Sequence, residues 1–280
     1  MRTRRRKARR CGTAAVSLIL LLILLPLLGA GCSPPAGSMY QVSTLGALLE
    51  GVYDGEWTVR DLKKRGDFGL GTFDALDGEM VIMSGIVYQV RSDGSVRVAG
   101  DEMRSPFAVV TYFHPDRALP LEGQPDLQGI ETILDRAIRS RNLPYAIKID
   151  GIFLRVRARS VPAQKKPYPR LVEVTKNQPE FEYRAVRGTM IGFRLPPYTG
   201  GINLAGYHFH FLTEDRTAGG HVLECRLESG KAEIAGLDRL ELHLPRGGAF
   251  LDAPLHGADQ AEAKSVESAT GKNTRAGGSQ

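Results

Sequence analysis

Residues 206–221, Gly-Tyr-His-Phe-His-Phe-Leu-Thr-Glu-Asp-Arg-Thr-Ala-Gly-Gly-His, constrain this chain more than any other stretch. Histidine and phenylalanine alternate from His208 to Phe211. A period of two belongs to a β-strand, whose successive side chains point to opposite faces. His208 and His210 therefore share one face. Phe209 and Phe211 share the other, where they suit a packed core. Thr213 to Gly220 is polar and closes on Gly-Gly, which predicts a turn. His221 then opens a return strand through Cys225. A hairpin of this kind sets a third imidazole beside the first two. A His-x-His pair alone is a weak signal, because strand histidines commonly serve a core or a surface. Three neutral imidazoles with an open fourth position are a common catalytic zinc arrangement.

The rest of the chain reads as many strands and few helices. A short helix is expected over Thr44–Val52, capped by Ser43 or Thr44, and another over Trp57–Lys64. Phe68–Ala75 and Glu79–Val90 read as strands joined by the turn Leu76-Asp77-Gly78, and Ser92-Asp93-Gly94 marks a second hairpin. Ala108–Phe113 is a further strand. Ile130, Ile133, Leu134 and Ile138 recur at helical spacing, so Leu127–Arg141 is expected to be a helix. Ala146–Arg159 and Glu182–Leu195 read as strands, as do short segments between Ala232 and Leu244. Such a pattern argues for a mixed α/β (α+β) body built on antiparallel sheets.

At 280 residues the chain can bury a large core in one large domain or two small ones. Its net charge of +6 invites a nucleic-acid partner. That reading fails, because seven cations and no acids lie in residues 1–31, and setting them aside takes the charge to −1. Those residues form an export signal: a basic segment to Arg10, an apolar run from Ala14 to Ala30, then Gly31-Cys32. Cysteine after small residues resembles a bacterial lipobox, in which the Cys32 thiol carries a lipid. Gly29 stands where that motif usually has leucine, and plain cleavage near Gly31 is the rival. Ser33–Ser38 is a Pro/Gly/Ser tether. Cys225 is the one cysteine left in the folded body, so no intrachain disulfide framework is available. An even offset from His221 would put it on the ligand face, although a small buried apolar role suits it better. The tail from Ala269 to Gln280 has no apolar periodicity and reads as disordered.

The long motifs together resemble the alpha-acetolactate decarboxylases. Residues 206–221 look like that family's metal-binding signature. Gly71-Thr72-Phe73-Asp74-Ala75-Leu76-Asp77-Gly78-Glu79-Met80 is similar to its other long motif. Arg155-Val156-Arg157-Ala158-Arg159-Ser160-Val161-Pro162 and Gly192-Phe193-Arg194-Leu195-Pro196-Pro197-Tyr198 fall between them in the expected order. The resemblance implies two packed subdomains, a mixed sheet and a smaller barrel-like antiparallel sheet carrying the metal. The expected division is 1–31 signal, 32–39 tether, 40–162 mixed-sheet subdomain, 163–268 metal-binding subdomain and 269–280 tail.

The activity implied is decarboxylation of 2-acetolactate, a 2-hydroxy-3-oxo acid, to acetoin and CO₂. A single Zn²⁺ on His208, His210 and His221 would chelate the ketone and hydroxyl oxygens and stabilise an enediolate. The resemblance also assigns Glu79 and Glu267 to the active site and leaves open which one donates the proton. By period two, Arg155, Arg157 and Arg159 share a face. The resemblance singles out Arg159 for the substrate carboxylate, with Arg194 as substitute, and places Thr72 in the pocket. It implies a homodimer. No glycine-rich dinucleotide fingerprint occurs. His114, His243 and His256 have no motif support and read as structural or surface residues. One rival is a cupin-like dioxygenase or isomerase, in which Glu214 of His208-x-His210-x₃-Glu214 would be a metal ligand, although His221 stands where that motif expects glycine. A non-catalytic surface lipoprotein is the other.

Overall fold

A computed structural model describes residues 37–255 and 260–267. The expected export signal, Cys32, His256 and the 269–280 tail lie outside the described residues. So does the Glu267 side chain.

Two sheets carry the molecule. The first has seven strands in the order β14-β1-β8-β3-β4-β5-β6. Its members are β1 (Ser38–Val42), β3 (Phe68–Thr72), β4 (Glu79–Met83), β5 (Ile86–Val90), β6 (Val96–Val98), β8 (Ala108–Thr111) and β14 (Arg239–His243). The β1–β14 pair is parallel and the others are antiparallel, so the sheet is mixed. The second sheet is antiparallel and runs β10 (Tyr145–Arg159), β11 (Glu180–Leu195), β12 (Gly206–Thr213), β13 (Gly219–Gly236). β10 also pairs with β13, which closes these four strands into a small barrel. β9 (Arg117–Leu121) extends it along the later half of β13, and β2 (Trp57–Thr58) and β7 (Arg104–Ser105) form a separate two-stranded ribbon. This is the expected mixed sheet plus barrel-like sheet.

Alternation explains the packing. Phe209 and Phe211 turn into the barrel interior with Phe153, Val156 and Ile149. The Phe153 and Phe211 rings meet edge-on, their centroids 5.2 Å apart, a favourable aromatic geometry. A second core lies between the sheets, where Leu70, Val81 and Val109 of the first pack against Ile191, Phe193 and Leu212 of the barrel. Helix α1 (Leu45–Leu49) is fully buried, and the Thr44 hydroxyl accepts from Ala47 N–H at its start. α2 (Val59–Lys63) buries Val59 and Leu62. α3 (Leu127–Ala137) is capped by Asp126 and sets Ile130 and Leu134 into the barrel core. It stops four residues before the expected Arg141: the Tyr145 phenol accepts from Ser140 N–H and donates to Ser140 C=O, holding the following loop.

Two other expectations need correcting. Glu79–Val90 is not one strand: a two-residue turn at Ser84-Gly85, both at positive φ (52° and 75°), folds it into the hairpin β4–β5. Both halves are largely buried, so the run lacks the alternation that would have marked its middle. Cys225 does not share the face of His221. Ala158 pairs with Val222 and Arg157 with Glu224, leaving Leu223 as a bulge that inverts the alternation. Cys225 therefore enters the barrel core, where burial pushes its thiol up to about 12.

Gly192 on β11 pairs with Phe209, and a Cβ there would stand 2.0 Å from the His208 carbonyl oxygen. The backbone carrying the histidines leaves no space for a methyl. Gly192→Ala is expected to cost about 3 kcal/mol, measured as a lowered denaturant midpoint.

Candidate metal centre and active-site pocket

The hairpin β12–β13 assembles the three histidines. His210 pairs directly with His221, and His208 lies two residues back on the same face. His208 Nε2 stands 3.2 Å from His210 Nε2 and 3.1 Å from His221 Nδ1, and the three ligand atoms lie within 4.8 Å of one another. Two nitrogens each at ~2.05 Å from a tetrahedral ion stand about 3.3 Å apart, and the two separations from His208 match that spacing. Turn chemistry holds the hairpin: Thr213 N–H donates to Ala218 C=O, and the Thr213 hydroxyl donates to Asp215 at 2.6 Å.

Tautomers and charge suit ligation. His210 Nδ1 lies 2.8 Å from the Met80 carbonyl, an acceptor, so the proton sits on Nδ1 and the Nε2 lone pair faces its neighbours. This contact also joins β4 of the first sheet to β12 of the barrel. His208 is half-buried by area, yet its ring is surrounded closely enough that burial, helped by the Arg159 charge, pulls its pKa down to about 3. Its imidazole is neutral throughout the physiological range.

Of the other expected residues, Thr72, Glu79 and Arg159 line the same pocket, with about 430 Å³ of empty space. Glu79 opens β4 and is 8% exposed, with Oε2 3.5 Å from His210 Nε2. Thr72 pairs with Glu79 across β3–β4, and its hydroxyl donates to Gly78 C=O at 2.7 Å, fixing the corner. Arg159 ends β10 opposite His221 and is 4% exposed, donating to Gln178. Its periodic companions do something else: Arg155 pairs with Glu182 and Glu224, and Arg157 with Glu180 and Glu224, all away from the pocket. Arg194 is also spoken for, donating to Arg141 C=O and lying 3.6 Å from Asp135. Glu267 ends helix α5 (Gln260–Glu267). His243 pairs with Glu241 and packs on Tyr40 at the sheet edge, outside the cluster.

Sequence reasoning missed the apolar walls. Leu45, Leu48, Leu76, Phe107, Val161 and Leu171 close the pocket from separate segments, with Leu171 supplied by helix α4 (Leu171–Val174). In sequence these are ordinary core residues, and no local signal sets them apart.

A model of the alpha-acetolactate decarboxylase family matches residues 39–257. The chain belongs to that family. An alpha-acetolactate decarboxylase of Methanosarcina mazei is 47% identical over 229 residues, covering 82% of this chain and 80% of that protein. One from Klebsiella aerogenes is 44% identical over 240 residues, covering 85% and 92%. The crystal structure of alpha-acetolactate decarboxylase from Bacillus subtilis strain 168 superposes with a TM-score of 0.81 at 41% identity, covering 82% of this chain and 99% of that one.

The decarboxylase family and a cupin-like enzyme differ over Glu214. Among the described residues the metal-capable group here comprises His208, His210 and His221. Glu214 is exposed in the turn, its backbone N–H donating to Arg187 C=O. Glu214→Gln is therefore expected to leave metal content within about twofold of the parent, because an exposed side chain outside the ligand set contributes little. Metal analysis of the purified variant checks this, and loss of the ion would restore the cupin-like reading.

Proposed function

We propose that this chain decarboxylates 2-acetolactate to acetoin and CO₂ at the pocket bounded by the three histidines, Glu79 and Arg159. The observation that carries the reading is the convergence of those residues, from both sheets, on one buried pocket in a chain of this family. His208, His210 and His221 would hold one divalent ion, and Zn²⁺ suits three neutral imidazoles. When bound, such an ion supplies Lewis acidity, drawing electron density from an adjacent carbonyl.

The chain's own residues do the rest. The Arg159 guanidinium binds the substrate carboxylate through parallel hydrogen bonds and orients the bond to be broken. Breaking that bond releases CO₂ and leaves its electron pair with the substrate's ketone, as an enediolate. Glu79 holds a proton at its carboxyl and delivers it to carbon, giving acetoin, then regains one from solvent. Glu267 is the second glutamate assigned to this work. The leucine, phenylalanine and valine walls exclude water, which strengthens each charge interaction inside. Thr72 keeps Glu79 in place through the β3–β4 corner.

The direct test incubates the chain from Ser33 onward with racemic 2-acetolactate. Equal amounts of acetoin and CO₂ are expected. Consumption of O₂ or an isomerised acid in their place would overturn the reading.

We also propose that the protein is exported and tethered to a membrane through a lipid on Cys32, supported by the export signal and the Gly31-Cys32 junction. Labelled fatty acid is expected on the parent and absent from Cys32→Ala; equal labelling of both would rule out this tether. A homodimer belongs to the same proposal. Exposed Leu240, Leu244, Leu251 and Leu255 offer apolar surface for it.

A further inference from the structure

His208 and His221 stand between two cavities. One is the pocket just described. The second has about 870 Å³ of empty space and lies against His208 and His221, between Glu131 of α3 and Lys264 of α5. The two differ in their access to water. Every residue lining the first is buried except His208. In the second, Lys264 is exposed, and Glu131, Ala205, Tyr207 and His208 are half-buried. His208, itself half-buried, lines both cavities. A solute reaching the histidines along the solvent-exposed side chains comes through the second cavity.

The charges along this cavity are placed to act on an anion. Lys264 offers a cation at its outer wall. Glu131 opposes an anion when ionised, but burial and the neighbouring Asp135 push its carboxyl up to about 7. Asp135 itself is occupied: it accepts from the Tyr207 phenol at 2.8 Å and pairs with Arg141.

We propose that the second cavity is the passage by which both the anionic substrate and the divalent ion reach the histidines, and that Lys264 and Glu131 set the rate at which anions traverse it. The substrate part rests on the decarboxylase reading; the ion part does not.

Zinc-loaded full-length protein tests this with two chelators, neutral 1,10-phenanthroline and anionic dipicolinate, used where extraction is first order in chelator. Lys264→Glu should slow extraction by dipicolinate and lower kcat/KM for acetolactate, each by about tenfold, the scale of electrostatic steering. It should leave kcat and the phenanthroline rate unchanged. Glu131→Gln should shift the same two quantities upward. Ala205→Trp, placing an indole in the cavity, should slow extraction by both chelators. Charge variants that leave the dipicolinate rate unchanged would overturn the role of Lys264 and Glu131. Ala205→Trp with a parental melting curve and unchanged rates for both chelators would overturn the passage. A parent that extracts zinc as described but releases no acetoin would overturn the decarboxylase reading and not the passage.

Discussion

His210→Ala is expected to empty the metal site and lower acetoin formation by at least about 10³-fold. Loss of a residue that merely orients a ligand commonly costs ten- to a hundredfold in metal affinity, and loss of the ligand itself costs more. His210 is the most buried of the three histidines and the one locked by a carbonyl, 2.8 Å from Met80 O. The substitution also leaves that carbonyl without its donor, an expected cost of about 1–3 kcal/mol to stability. Metal content, turnover and melting of the one variant separate these effects. His210→Gln, which retains a polar side chain, should recover more of the stability than of the metal.

Arg159→Gln is expected to lower kcat/KM by about 10²–10³-fold, the 3–4 kcal/mol typical of truncating one member of a buried charge pair. Metal content should stay at the parental level. Arg159 is nearly enclosed beside His221, and water cannot readily replace a missing guanidinium there. Arg159→Lys should recover only part of the loss, since an ammonium cannot make two parallel hydrogen bonds to a carboxylate. Steady-state kinetics with metal analysis checks both variants. Equal losses of metal and activity would show that Arg159 supports the histidines and does not hold the substrate.

The histidine hairpin was legible because its information is local. Alternation from His208 to Phe211 states which side chains share a face, and the polar Thr213–Gly220 segment states where the chain turns back. Two residues beyond His221 the same rule failed. The bulge at Leu223 arises from pairing with β10, more than sixty residues earlier in the chain, and nothing near Leu223 announces it. Barrel closure is non-local in the same way, as is the pairing of β14 with β1.

Arg155, Arg157 and Arg159 are equivalent by period. Distinguishing them physically needs the glutamates that take the first two and the pocket that receives the third. Glu79 follows a turn, where an isolated carboxylate reads as solvated. It is buried because β12 packs its histidine against the neighbouring Met80 carbonyl. The roles proposed for Arg159 and Glu79 rest on motif resemblance, and periodicity alone leaves both open.

The most direct test of the account is a metal titration. Protein stripped with a chelator is titrated with Zn²⁺, and acetoin release from 2-acetolactate is followed at each addition. Release is expected to be negligible without metal, to rise linearly, and to reach a plateau at one equivalent per chain. Full acetoin release from the stripped protein, or none from folded protein carrying one zinc per chain, would contradict it.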